Sequence, residues 1–211
     1  MKQQMEKKYK TEKEGNMLRI IALKDFDDVK KGDEGGLIEK EENLSQEGDC
    51  WVFVDAKVYG DAMVLGNASI GGDAEVYGNA RISGKALIDD FAKVYGKARI
   101  YGNAEICMCA QVYDNAEVYG NAEIYGSAEI YGNAKVSGEA EVDGAAKIYG
   151  EAEVYENAYV SDNASVYDNA SVSGNAKISK RAKVYGNAKI DGNTEIRRWA
   201  KVSGNTDVKQ Q

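Results

Sequence analysis

The chain has 211 residues, a formal net charge of −8, three cysteines and no histidine or proline. This acidic balance argues against a general nucleic-acid binder or a protein that binds anionic membranes, because both present a basic face. No apolar run approaches the roughly 18 residues of a membrane-spanning helix, and the charged start MKQQMEKKYKTEKEGN lacks the apolar core of a signal peptide. The odd number of cysteines fits reduced thiols, so we expect a cytoplasmic protein without a membrane partner.

The N-terminal quarter of the chain shows no repeat. Residues 1–16 are charged and have no hydrophobic period, which predicts a mobile N-terminal segment. The run MLRIIAL, which starts at Met17, predicts a strand, and KKGDEGGLIE predicts a turn into another short strand. Because an exposed end of a repeat array must be covered, we predict that residues 17–51 form a small β cap, with Trp51 and Phe53 anchoring the join.

From Val52 to Val208 a six-residue unit repeats without insertion or deletion. Val or Ile occupies all 27 positions reached from Val52 in steps of six, and we number the unit from this residue. Position five is Ala in 24 of its 26 occurrences, and positions three and four are often Gly-Asn. Strand alternation turns positions five and one inward and positions six and two outward, while Gly-Asn favours a corner.

The outward residue at position two sets the number of sides of the coil. Tyrosine recurs there in every third unit, eight times in succession: Tyr59, Tyr77, Tyr95, Tyr113, Tyr131, Tyr149, Tyr167 and Tyr185. This spacing predicts that three units make one turn, which is an 18-residue coil. We therefore predict an all-β, single-stranded parallel β-helix of triangular cross-section. It has nearly nine coils over residues 52–208, and residues 209–211 form a C-terminal tail.

The units VYGNAE, VSGNAK and IYGNAE resemble those of the hexapeptide-repeat proteins that form left-handed parallel β-helices. The left-handed sense is what this resemblance implies, since ordinary parallel crossovers are right-handed. The segment from LRIIALKDFDDVKKGDEGG to the first units also resembles the YdcK-like branch of this family, whose members are labelled acetyltransferases. That label implies an acyltransferase with acetyl-CoA as its cofactor.

The chemistry of the family cannot be transferred to this chain residue by residue. The resemblance implies a histidine as general base in the acyltransferases and three histidine zinc ligands in the carbonic anhydrases of the same fold, and this chain has no histidine. The unbroken register also leaves no extruded loop to shape an acceptor pocket. We therefore predict no catalytic residue, no metal site and no cofactor, and we favour a protein that is not an enzyme.

Two outward clusters could hold a cation. Cys107 and Cys109 form a C-x-C pair, but two thiols without a third ligand make an incomplete zinc site, so we favour small apolar filling. Glu105, Glu123 and Glu141 fall in one column, where they could bind a cation or a basic partner. A solvated stripe is the interpretation that we favour.

The eight tyrosines allow two interpretations. Rings one coil apart can stack and stabilise the rod, or they can present a flat aromatic face to a partner or a second subunit. We favour stacking, because stacked rings already shelter one another. The two roles are compatible.

We call the units in the columns of Val58, Val64 and Val52 face one, face two and face three, and the turns after face three the third corner. The other corners are nearly all Gly-Asn or close relatives, whereas the third corner carries bulky residues. Bulky side chains there add nothing to the core, so we predict an interface between identical rods, with an anionic ligand as the alternative. The candidate interface edge contains Phe91, Met108, Cys109, Lys180, Arg181, Arg197, Arg198 and Trp199.

Three functions remain open at this point. The favoured one is a non-catalytic binding or scaffold protein that associates with itself, or with another protein, through one edge or face. Tail-to-tail contact through Val202 and Val208 is a further expectation for self-association. The alternative is an acyl-CoA-dependent acetyltransferase, and the third is an acidic inhibitor that mimics nucleic acid.

Overall fold

The computed structural model describes residues 6–210, and within this range the only helix is a three-residue 3-10 turn. No helix in this range is therefore long and apolar enough to cross a membrane. Three parallel sheets run along the molecule, and each chain crossing leads from one sheet to the next. The predicted all-β parallel β-helix with three units per coil is confirmed, and its left-handed sense stays a prediction.

Each hexapeptide unit forms one short strand, so that strands β4 to β30 match the 27 units. Face one consists of β5 (Lys57–Val58), β8 (Glu75–Val76), β11 (Lys93–Val94), β14 (Gln111–Val112), β17 (Glu129–Ile130), β20 (Lys147–Ile148), β23 (Ser165–Val166), β26 (Lys183–Val184) and β29 (Lys201–Val202). Face two consists of β6 (Met63–Val64), β9 (Arg81–Ile82), β12 (Arg99–Ile100), β15 (Glu117–Val118), β18 (Lys135–Val136), β21 (Glu153–Val154), β24 (Ser171–Val172), β27 (Lys189–Gly192) and β30 (Asp207–Gln210). Face three consists of β4 (Trp51–Val52), β7 (Ser69–Ile70), β10 (Leu87–Ile88), β13 (Glu105–Ile106), β16 (Glu123–Ile124), β19 (Glu141–Val142), β22 (Tyr159–Val160), β25 (Lys177–Ile178) and β28 (Glu195–Ile196).

The core is a continuous column of Val, Ile and Ala. The residues at positions one and five are buried in every coil from Val52 to Ile190. Main-chain N–H groups at outward positions donate to carbonyls one coil further on, as Lys93 does to Ala110 and Tyr95 to Val112, both at 3.0 Å. Val202 and Val208 in the last coil are only partly buried, and the tail-to-tail contact expected for them stays a prediction.

Position three takes a left-handed backbone at most corners, which explains the glycines there. At Gly60, with φ of 67°, an added Cβ would lie 3.1 Å from main-chain atoms of Gly78 on the next coil. Asp replaces Gly at some corners, and its carboxylate then accepts an N–H from position three of the next coil. Asp168 accepts from Gly186 in this way at 3.1 Å. This bond offsets part of the strain of a left-handed residue with a Cβ.

The cap extends face one with three strands before the first regular coil. β1 (Tyr9–Glu14) and β2 (Met17–Ala22) form an antiparallel pair, β2 pairs with β3 (Glu34–Ile38), and β3 lies parallel to β5. After the 3-10 turn (Glu41–Asn43), Leu44 forms a parallel bridge to Val64 and so extends face two. The cap therefore hydrogen-bonds to the first strands of two faces.

The prediction of a mobile segment over residues 1–16 is wrong for Tyr9–Glu14, which forms a strand. Its outer residues are charged and exposed, so that main-chain pairing and one buried ring hold it in place. Tyr9 is buried, and its hydroxyl donates to the Leu44 carbonyl at 2.8 Å. Residues 1–5 of that segment lie outside the described range. In the predicted tail, Lys209 and Gln210 belong to β30, and Gln211 lies outside the described range.

Trp51 and Phe53 behave differently at the join between cap and coils. Trp51 is buried and makes edge contacts with Tyr9 and Phe26, with ring centroids 6.3 Å and 5.4 Å apart. Phe53 is 40% exposed and does not act as a buried anchor. Phe53 is at position two of the unit, which points outward by strand alternation. Trp51 is at position six, which also points outward, but the cap covers its side chain.

The eight tyrosines of face one form a single stack. Successive rings from Tyr59 to Tyr185 lie between 4.8 and 5.0 Å apart and within 3° of parallel. The Tyr59 hydroxyl donates to the Glu75 carboxylate on the next coil at 2.7 Å. Because the ring faces cover one another, they offer no broad aromatic platform to a partner. This geometry favours the stabilising role of the stack.

Truncation of a central core residue should cost more than the same change near the open end. Ile124→Ala on β16 removes a fully buried side chain and should lower the free energy of unfolding by about 3 kcal/mol. Ile196→Ala on β28 is the matched control, because Ile196 is only partly buried. Urea unfolding of both variants measures the difference, and equal losses would contradict a core that is closed at the centre.

The tyrosine stack should make the protein sensitive to alkali. Burial raises the pKa of Tyr131; the Lys147 charge partly opposes this rise and the Glu129 charge adds to it. Stability from this shift is fully present below the unfolded-state pKa of about 10, and it is lost as pH rises toward the folded-state pKa. Tyr131→Phe removes one such group. This variant should therefore lose less stability than the parent as pH rises from about 10 toward the folded-state pKa. Tyrosinate absorbance and circular dichroism, recorded during one titration, test this. Ionisation of the stack near pH 10 in a folded rod would contradict it.

Candidate functional site

The third corner projects large apolar side chains into solvent. Phe91, Met108 and Trp199 are 61%, 51% and 71% exposed. They stand at positions that are Gly, Asn or Asp at most other corners of the rod. Core packing does not account for these side chains, since they point away from the core.

Several bulky residues of this corner also carry backbone strain. Met108, Lys180 and Arg198 adopt left-handed φ angles of 60°, 62° and 63°. A residue with a Cβ costs about 1 kcal/mol or more in this conformation, and Gly serves at the equivalent position in most other coils. Strain of this kind that the fold does not need is a reason to look for a function.

One end of the third corner forms a basic and aromatic cluster. The Arg181 guanidinium lies 4.6 Å from the centre of the Trp199 ring, in a cation–π contact. Lys180 and Arg198 stand beside them, and we call these four residues the basic patch. A shallow cavity of about 430 Å³ lies among them, with Asp162 and Asn163 on its wall. Asp162 was not among the predicted site residues. Asp162 contributes through a hydrogen bond between coils, in which its carboxylate accepts the main-chain N–H of Lys180 at 2.9 Å.

The other end of the corner is apolar. Phe91 and Met108 follow β10 and β13 on neighbouring coils, and we call this pair the apolar patch. Cys109 lies beside it and is also exposed. Five strand steps separate Met108 from Trp199, or about 24 Å. The small corner residues Gly126–Ser127 and Gly144–Ala145 lie between the patches. The structure thus divides the predicted interface edge into two parts.

The charges on face three are segregated along the rod. Glu105, Glu123 and Glu141 lie in register on β13, β16 and β19, and we call them the acidic belt. None of the ion pairs within residues 6–210 involves these three carboxylates. The Tyr125 hydroxyl donates to Glu105 at 3.4 Å, but this neutral donor leaves the charges uncompensated. Burial, followed by the neighbouring Glu123 and Asp143 charges, raises the pKa of Glu141. Like charges on adjacent strands destabilise a sheet, so the belt needs a compensating charge.

Several charges on faces one and two are compensated within the chain, although Lys183 and Lys201 are adjacent on face one. On face one Lys147 pairs with Glu129 at 2.8 Å across adjacent coils. On face two Lys135 pairs with Glu153 at 3.3 Å. The basic residues of face three come only after the belt, at Lys177 and Arg197. Arg197 pairs locally with Glu195 at 3.1 Å.

The cysteine pair has little of the chemistry of a reactive or metal-binding site. Burial and the nearby Asp89 carboxylate raise the pKa of Cys107 to about 11, so its thiol is protonated near neutral pH. Metal ligation requires the thiolate. Within residues 6–210 no group of three His, Cys, Asp or Glu residues is arranged to hold a metal ion.

A second polar cluster lies in the cap, where the sequence had predicted none. Lys8 is buried, and its Nζ donates to the Gly48 and Cys50 carbonyls at 3.1 and 2.8 Å and lies 3.3 Å from the Cys50 Sγ. Burial lowers the pKa of Lys8 and raises that of Cys50. A cavity of about 820 Å³ lies nearby, lined by cap loops that include Phe26 and Asp49. The amine has its acceptors within the cap, so we assign it a role in holding β1 to the first coil.

Comparison with known proteins gives a local likeness to a bacterial protein. No family model matches the chain. It is 43% identical over 63 residues to a protein of Escherichia coli (strain K12) named "Uncharacterized acetyltransferase YdcK". The match covers 29% of this chain and 19% of that protein. With its unbroken hexapeptide units, three parallel sheets and 18-residue coils, the chain is a β-helix protein of the hexapeptide-repeat type.

Proposed function

We propose that this protein is a non-catalytic docking module, a rigid rod that binds a protein surface through the third corner. The observation that carries the proposal is the strained and exposed state of Met108, Lys180 and Arg198. The fold would be more stable with glycine at these positions, so their retention fits a role in binding. Aromatic residues and arginine, both present in the basic patch, are the residue types favoured at interfaces.

The chemistry of the chain agrees with a non-catalytic role. Acyl transfer to a hydroxyl or amine needs a positioned base, and the histidine base that the resemblance implies has no counterpart among the 211 residues. The cavity at the basic patch is lined by Lys180, Arg181 and Arg198. These cations bind anions but do not accept protons near neutral pH. The Asp162 carboxylate on the same wall accepts the Lys180 main-chain N–H.

An acyl-CoA-dependent acetyltransferase is the second candidate. It is supported by the local likeness to the Escherichia coli protein, whose name includes that activity. The basic patch has the charge to hold a phosphate group. The aligned part covers only 19% of the relative, so its activity enters here as a candidate alone. Mimicry of nucleic acid has less support, because charges of both signs alternate on faces one and two.

Acetyl-CoA separates the first two candidates. A ligand at 100 times its dissociation constant stabilises a folded protein by about 2.7 kcal/mol, which thermal unfolding detects readily. For a docking module we expect no saturable rise in the unfolding temperature and no heat of binding by calorimetry. An Arg181→Ala variant serves as the control for weak anion binding. A saturable rise in the parent that is lost in this variant would contradict the docking proposal and support the transferase.

A glycine at a strained corner should stabilise the rod while it weakens docking. Lys180→Gly removes a side chain from a left-handed position and should raise the free energy of unfolding by roughly 0.5–1 kcal/mol. Lys189→Gly on β27 is the matched control. It should destabilise the rod, because glycine weakens a strand. Urea unfolding of both variants gives the comparison, and a destabilised Lys180→Gly variant would show that the fold itself needs this lysine.

A further inference from the structure

We infer that the surface that binds the third corner is a second copy of this chain, related by a two-fold axis and running antiparallel to the first. This inference rests on the proposed docking function and names its partner. The contact consists of face three and the third corner together. On both, several outward residues are complementary to the residues that face them when the order of strands is reversed.

The strand order of face three sets the register of the dimer. From the end of the rod toward the cap the order is β28, β25, β22, β19, β16 and β13. A two-fold axis between β22 and β19 places β25 of one rod opposite β16 of the other, and β28 opposite β13. Lys177 on β25 then faces Glu123 on β16. On β28, Glu195, which forms a local ion pair with Arg197, faces Glu105 on β13. Near the axis, Tyr159 on β22 faces Glu141 on β19.

Two of the three carboxylates of the acidic belt gain a donor in this register. Glu123 meets the Lys177 ammonium and Glu141 meets the Tyr159 hydroxyl, and the symmetry makes each contact twice. None of the ion pairs within residues 6–210 involves the belt, whereas Glu75, Glu129, Glu117 and Glu153 on faces one and two each pair with a cation on an adjacent coil. A second copy therefore supplies Glu123 with a cation of the kind that the glutamates of the other faces find within the chain.

The third corner has the same self-complementarity in shape. The register that pairs β28 with β13 sets Trp199 of one rod against Met108 of the other, so that basic and apolar patches meet. The register that pairs β25 with β16 sets Lys180 and Arg181 against Gly126–Ser127. These small corner residues leave room for the two long side chains. Bulky residues thus face small ones, and exposed apolar side chains face each other.

The size of this contact indicates a weak dimer. Six strands span about 29 Å along the rod, and a side six residues long adds about 20 Å at most. The contact therefore buries on the order of 500 Å² on each copy, near the lower limit for a specific interface. Since much of the attraction is between exposed charges, we expect the dimer to weaken as salt concentration rises.

Charge exchange tests the register directly. Sedimentation of the full chain over a range of protein concentrations, at low and high salt, should show a monomer–dimer equilibrium that salt shifts toward monomer. Glu123→Lys and Lys177→Glu should each raise the dissociation constant at least tenfold, because each creates two repulsive contacts in the dimer. The double variant E123K/K177E should restore dimerisation, since both pairs are re-formed with exchanged signs.

Two controls keep the result separate from folding and from net charge. Glu151→Lys makes the same change of charge at an exposed residue of another corner, and it should leave the dissociation constant unchanged. At a protein concentration where both are monomeric, the Glu123→Lys rod should unfold at no lower temperature than the parent, because the change removes like-charge repulsion within the belt.

Several outcomes would overturn the dimer. These are a chain that stays monomeric at all concentrations, a double variant no better than either single variant, or a Glu151→Lys effect as large as that of Glu123→Lys. The test of the proposed function is separate. A monomeric chain that does not bind acetyl-CoA would overturn this dimer alone, whereas saturable acetyl-CoA binding would overturn the docking function.

Discussion

In this rod every coil is stacked, in register, on the coil before it, so that each residue lies over the equivalent residue three units away in sequence. Main-chain hydrogen bonds between coils impose this arrangement, and the composition follows from it. A column of valines packs well, and a column of tyrosines stacks at about 4.9 Å. A column of asparagines can bond along itself, as Asn103 and Asn121 do at 2.8 Å. A column of glutamates has no such self-interaction, which makes the belt on face three an exception.

Much of the fold was predictable, because the stacking of coils in register requires a regular six-residue period in the sequence. Val or Ile at every sixth residue predicted the strands, and tyrosine in every third unit predicted the three-sided coil. The cap was harder to predict, because its first strand is anchored by Tyr9 and by the adjacent buried Lys8 among charged neighbours. Cys50 takes the buried place that Ala holds in later coils, but two extra residues, Gln46 and Glu47, break the count before it. A single coil whose period is interrupted is difficult to recognise in a sequence, because no second coil shows the same interruption.

The candidate site was predictable only in part, for a related reason. Bulky residues at a corner are visible in the sequence because they depart from Gly-Asn. The contact of Arg181 with Trp199 and the Asp162 bond to Lys180 both join neighbouring coils, and they depend on side-chain geometry that the period does not fix. The lack of ion pairs in the acidic belt also appears only by comparison with the ion pairs of the other faces. What distinguishes this rod from a generic one therefore lies in its outward columns and corners.

The unbroken register has a consequence for how such a rod changes length. Adding or removing one block of three units preserves every column, because each residue meets the same position as before. The separation between two surface groups on either side of the block changes by about 4.8 Å and by no smaller amount. Distances along this molecule are in that sense quantised. A lineage that duplicates or loses coils can rescale the spacing of its binding groups in whole steps, with no need to redesign the interior.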